Sequence, residues 1–183
     1  MKKIFLLALI SSNFILSQSF VPNAPELNLK SYILIDPNTN TVIAEFNSDG
    51  QIEPASMTKV MTAYVAADQI KNGLISLEDK VLISEKAWKM GGSKMFIEVG
   101  KKVSVLDLLK GIMIQSGNDA SVAIAEYVGG SEDGFVDLMN TYAASIGMKN
   151  TNFENSTGLP SEGHLTTSSA VSYTHLTLPT KRI

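Results

Sequence analysis

The chain has 183 residues, 44 % of them hydrophobic and 18 % charged, which suits one globular domain with a real core and argues against disorder. Its net charge is −3, from 15 Lys and Arg against 18 Asp and Glu, so no nucleic acid is expected as a partner. There is no cysteine and the only histidines are His164 and His175, which excludes disulfides, thiolate chemistry and a lipid-modified cysteine and argues against a histidine-built metal site.

The N-terminus has the three parts of an export signal. Met1, Lys2 and Lys3 are followed by an apolar run over residues 4–16, broken only by Ser11, Ser12 and Asn13. Ser17 and Ser19 then offer small side chains at the −3 and −1 positions, which predicts a signal peptide over residues 1–19. The run is too short and too polar in its middle for a comfortable membrane span. The mature chain is therefore expected outside the cytoplasm.

After a linker over residues 20–28, residues 31–36 read as a buried strand, Pro37 to Asn40 as a turn and residues 41–46 as the returning strand of a hairpin. A loop then feeds a helix whose first turn carries Ser56, with Lys59 three residues further on and Pro54 at the entry. Residues three apart share a helix face, so hydroxyl and amine can meet. The serine would also lie at the positive end of the helix dipole. A weak nucleophile, an adjacent base and a favourable field are what covalent acyl transfer requires. Ser-x-x-Lys occurs only here in the chain, yet it is built from common residues and decides nothing by itself. Val60, Met61, Tyr64, Val65 and Ala67 are expected to face inward, with Gly73 as the stop.

Residues 81–83 read as a short strand, 87–94 as a loop holding Trp88 and the Gly91-Gly92 pair, and 95–97 as a further extended piece. Ser104 and Asp107 form a capping-box pattern ahead of an apolar face made by Leu106, Leu109, Ile112 and Met113. That helix runs into Ser116-Gly117-Asn118, a polar break between apolar segments. Ser116 and Asn118 can be read as caps of the helix beginning near Asp119 or as site residues, and both readings stand at this point. Residues 120–128 and 135–146 read as helices closed by glycine, the second capped by Ser131. Residues 155–160 form a turn-rich loop.

Taken together, four stretches resemble the penicillin-binding protein and class A β-lactamase superfamily: residues 31–36, residues 54–59 with Ser56 and Lys59, residues 115–120 with Ser116 and Asn118, and residues 155–159. Their order and intervals look most like the low-molecular-mass D-alanyl-D-alanine carboxypeptidases of the S11 peptidase family. The resemblance implies an α+β, transpeptidase-like fold, an antiparallel sheet flanked by helices with an all-helical part. It also implies roles. Ser56 would be the acyl-forming nucleophile, Lys59 its general base, Ser116 a proton relay and Asn118 a substrate-binding residue. Lys59 would need a lowered pKa, since an ammonium cannot act as base. The Ser56 backbone N–H would be an oxyanion donor, a type of contact worth about 2.7–4 kcal/mol of barrier. Implied partners are peptidoglycan stem peptides and, as covalent inhibitors, β-lactams; no cofactor and no metal is implied, and the setting is the periplasm or the outer face of the cytoplasmic membrane.

The family's third motif, Lys-Thr-Gly, is absent from these 183 residues, as are the C-terminal domain and amphipathic anchor of many relatives. Residues 20–170 are expected to be a partial catalytic domain. Residues 171–183 do not read as the helix that the family would place there and are expected to be a non-native tail. The fold is expected to be incomplete at the C-terminus, and the chain as written inactive although its parent is a carboxypeptidase. Two other readings compete: a class A-like β-lactamase, for which no Glu-x-x-Leu-Asn string is present, and a non-catalytic peptidoglycan-binding fragment. A D,D-endopeptidase would use the same residues on a larger substrate.

Overall fold

The computed structural model describes residues 25–177. The expected signal peptide lies outside the described residues. In chain order the elements are β1 (Tyr32–Asp36), β2 (Thr41–Phe46), a 3-10 turn (Ala55–Met57), α1 (Thr58–Lys71), β3 (Lys80–Leu82), α2 (Glu85–Lys89), β4 (Lys102–Ser104), α3 (Val105–Gln115), α4 (Asn118–Gly129), α5 (Glu132–Ser145) and α6 (Ser168–Thr177). The architecture is α+β. Among the described residues the strands form two antiparallel pairs, β1 with β2 and β3 with β4. No helix among them is long and apolar enough to cross a membrane.

The predicted hairpin is present, but its first strand is not buried. Leu34 at its centre is 55 % exposed, and Ile43 and Phe46 opposite are equally open. The register slips between Leu34 and Ile35, where β2 has an extra residue.

Helices α1 and α4 lie at the centre, between two apolar clusters. One gathers Leu108, Ile112, Val122 and Ile124 with Ala66, Val81 and Ile83. The other gathers Val65, Phe135, Met139, Ala143 and Phe153. Burying a side chain of this size contributes about 1.5–3 kcal/mol, so these clusters dominate the favourable side of folding.

Several local expectations are corrected. Residues 87–89 are helical rather than loop, because the Ser84 hydroxyl accepts the Ala87 N–H at 3.0 Å and caps α2, and Glu85 pairs with Lys89 one turn on. Residues 95–97 form no strand. The Asp119 carboxylate takes the N–H groups of Met95 (3.0 Å) and Ile97 (3.2 Å), so a ladder cannot have them. The inward face of α3 is Val105, Leu108, Gly111 and Ile112, while Leu106 and Met113 face out. Nearly every position of that helix is apolar, so periodicity could not choose the face. On α1 the buried set is Thr58, Lys59, Met61, Thr62, Val65 and Ala66, with Val60 and Ala67 exposed. Finally, the chain past residue 170 does enter a helix, α6, whose first turn includes an Ala170 N–H held by Thr167 Oγ1 at 3.0 Å.

Candidate active site

The serine and lysine are brought together by the start of α1. Pro54 opens the 3-10 turn, and Met57 N–H donates to its carbonyl at 3.1 Å. Ser56 therefore lies in the turn that feeds α1 rather than in the α-helix itself. Its hydroxyl is open to solvent, and Lys59 Nζ donates to Ser56 Oγ at 3.3 Å. Ala55, just before it, has φ +47°, a left-handed conformation that costs a non-glycine residue about 1–2 kcal/mol. The residue beside Ser56 is thus held in a bend that the chain would not choose alone.

Lys59 is only 3 % exposed. Among the described residues no carboxylate is paired with it; its second partner is the Thr157 carbonyl at 2.7 Å. Burial pushes its pKa below the ordinary lysine value, which raises the fraction of free amine available as a base.

The carbonyl comes from the loop over residues 153–158, which closes on α1 at two points. Thr62 Oγ1 donates to the Ser156 carbonyl at 2.7 Å, one turn above the Lys59 contact. Asn155 Oδ1 accepts from Thr157 N (3.1 Å), Thr157 Oγ1 (2.9 Å) and Gly158 N (2.7 Å), which shapes the loop as an Asx turn. Gly158 has φ +83°, and a Cβ there would lie 1.8 Å from the Ala55 carbonyl oxygen. Only glycine lets the loop approach the strained bend this closely. Behind it, buried His164 accepts the Glu154 N–H at Nδ1 (2.9 Å), so its own proton sits on Nε2 and is donated to Thr58 Oγ1 (2.8 Å).

Ser116 and Asn118 occupy the elbow between α3 and α4, both of which pack against α1. Ser116 ends α3 in a left-handed conformation, φ +53°, and Gly117, not Ser116, is the N-cap of α4. Among the described residues the Ser116 hydroxyl makes no hydrogen bond to Ser56 or Lys59. Asn118 is buried; its backbone N–H donates to Ser93 O at 2.8 Å and its Nδ2 to Gly91 O at 2.7 Å. Its side-chain carbonyl carries no hydrogen bond among the described residues. The Asn118 side chain thus braces the Gly91-Gly92 loop, and a Cβ on Gly92 would reach within 2.8 Å of it.

Sequence reading therefore located Ser56 and Lys59 and their contact, and placed Ser116 and Asn118 on an element packed against them. It gave no role to Asn155, Thr157, Gly158 or His164, although the Asn-Ser-Thr-Gly string already marks a tight turn.

A family model described as D-alanyl-D-alanine carboxypeptidase, Peptidase_S11, matches residues 18–182. The D-alanyl-D-alanine carboxypeptidase DacF of Bacillus subtilis is 50 % identical over 135 residues, 74 % of this chain and 35 % of that relative's length. Among solved structures, the D-alanyl-D-alanine carboxypeptidase DacD of Francisella tularensis superposes with a TM-score of 0.82 at 39 % identity, covering 92 % of this chain and 41 % of that one. Penicillin binding protein 5 of Haemophilus influenzae gives 0.81 at 37 % identity, over 85 % and 46 %. The chain thus spans less than half of each.

Proposed function

Because the chain belongs to the S11 family of D-alanyl-D-alanine carboxypeptidases, we propose that Ser56 attacks the terminal D-Ala-D-Ala bond of a peptidoglycan stem peptide with Lys59 as its base. The observation that carries this reading is the buried lysine, held by one carbonyl, with no carboxylate paired to it among the described residues and its amine on the exposed serine. The Ser56 proton passes to Nζ as Oγ attacks the carbonyl carbon. The Ser56 N–H, at the head of the turn, is placed to stabilise the oxyanion. Collapse releases D-alanine, which takes up a proton, and leaves an acyl ester on Ser56 that water hydrolyses. The Ser116 hydroxyl serves the proton transfer to the departing amine, and the Asn118 side-chain carbonyl receives a substrate N–H.

β-Lactams would acylate the same oxygen. The family resemblance and the penicillin binding protein neighbour support this reading. The tripartite N-terminus supports export, with the mature chain beginning at Phe20 and working in the periplasm or on the outer face of the membrane.

The test is a labelled penicillin added to the full-length gene product, with the adduct mapped by peptide mass spectrometry. A penicilloyl group on Ser56, lost in Ser56→Ala, is expected, together with D-alanine release from a D-Ala-D-Ala pentapeptide. A folded protein that takes no adduct and releases no D-alanine overturns the reading.

A further inference from the structure

We propose that Glu132 is a positioning residue for the Ser56–Lys59 pair, acting through Ser156 to hold the Thr157 carbonyl against the Lys59 amine. It rests on the acyl-transfer reading for its purpose, but not for its geometry.

Glu132 opens α5 under the Ser131 cap, where the helix dipole favours an anion. It is 8 % exposed. Its Oε1 accepts both the Ser156 N–H (3.0 Å) and the Ser156 hydroxyl (2.8 Å), and its Oε2 takes Lys86 Nζ of α2 at 2.8 Å. Burial pushes this carboxyl up, but the Lys86 and Ser156 hydrogen bonds outweigh it and hold the group below its ordinary value. The carboxylate is thus ionised and gripped from two sides.

The consequence reaches Lys59 through one peptide unit. With Ser156 fixed from α5 and its carbonyl fixed by Thr62, the next carbonyl, Thr157 O, has one direction left, towards Lys59. A neutral lysine amine has two N–H bonds and one lone pair. An N–H committed to Thr157 O restricts how the amine can turn and keeps Nζ within reach of Ser56 Oγ. Without Glu132 the loop loses its outer anchor, the carbonyl swings, and water reaches the amine.

The test is a titration of the 183-residue protein carrying ¹³Cε-labelled lysine, with the Lys59 resonance assigned by Lys59→Arg. Glu132→Ala and Ser156→Ala are expected to move the Lys59 midpoint upward, towards that of an exposed lysine, because burial is what lowers it. Glu132→Gln keeps an oxygen for both Ser156 donors and is expected to leave the midpoint near that of the parent chain. The sign discriminates, since mere removal of a negative charge would lower the midpoint in Glu132→Ala and Glu132→Gln alike. An unmoved or lowered midpoint in folded Ser156→Ala and Glu132→Ala overturns the proposal, even where stability falls. Should Ser56 take no penicillin in the full-length gene product, the functional reading fails while this shift is still measured.

Discussion

Two loops frame the site, and each is pinned by one buried carboxylate, but in different ways. The loop over residues 153–158 hangs on Glu132, which also holds the Lys86 ammonium, and it delivers its carbonyls to α1. The loop over residues 90–97 hangs on Asp119, which is 0 % exposed and is held by backbone N–H groups of Met95, Ile97 and Ala120. The first arrangement includes a half-exposed cation, Lys86; in the second, among the described residues, only backbone N–H groups hold the carboxylate. The side carrying Ser56 and Lys59 therefore depends on one contact that solvent can share, and the elbow carrying Ser116 and Asn118 is held by backbone N–H groups.

The largest effect should come from the elbow. Asp119→Ala strands three backbone donors, those of Ile97 and Ala120 buried and that of Met95 partly so, and we expect a loss of roughly 3–5 kcal/mol in urea unfolding. Glu132→Ala leaves one buried backbone donor, the Ser156 N–H, with a hydroxyl that can turn elsewhere and a half-exposed Lys86, and should cost less in the same measurement. Equal losses would erase the contrast between the two loops. Gly158→Ala comes next. It forces a left-handed alanine whose Cβ meets the Ala55 carbonyl, so a loss of about 2–4 kcal/mol is expected, from left-handed strain plus overpacking. The displaced bend should also abolish Ser56 labelling by penicillin while leaving the elbow folded. Retained labelling would show that the loop and the bend are not interlocked.

How much of this was legible in the sequence follows the range of the interactions. Ser56 and Lys59 meet through a spacing of three, which any reader of helical geometry can see, and the Ser84, Ser104 and Ser131 hydroxyls act as local caps. The Thr157 carbonyl reaches Lys59 across 98 positions and Ser156 reaches Glu132 across 24, and no local pattern announces either. The buried face of α1 is legible at Met61 and Val65 but not at its polar positions, for the same reason. Thr62 and Lys59 are polar, and only their distant carbonyl partners make their burial affordable. Phe96, at φ +63° and 83 % exposed, looked like strand because its neighbours are apolar; Asp119 decides otherwise.

The smallest effect, and the one that separates the two loops most cleanly, is a response to acid. His164 belongs to the Ser56–Lys59 side: Nδ1 accepts the Glu154 N–H, Nε2 donates to Thr58, and the Phe153 ring meets it edge-on at 5.8 Å. Burial lowers its pKa, against the carboxylates of Glu154 and Glu53, which raise it less. The folded value is below the unfolded one of 6.5, so its contribution to stability is fully present above pH 6.5 and is lost as pH falls through the folded value. Protonation puts a hydrogen on Nδ1, where the Glu154 N–H already points, and that bond cannot survive. Hydrogen-exchange protection of the Glu154 amide should then fall on acidification, while the Met95 and Ile97 amides on Asp119 keep theirs. His164→Asn presents an oxygen where Nδ1 was and cannot titrate, so it should flatten the Glu154 response. If protection at Glu154, Met95 and Ile97 falls together, the loops respond as one unit and His164 is not the local acid-sensitive clamp.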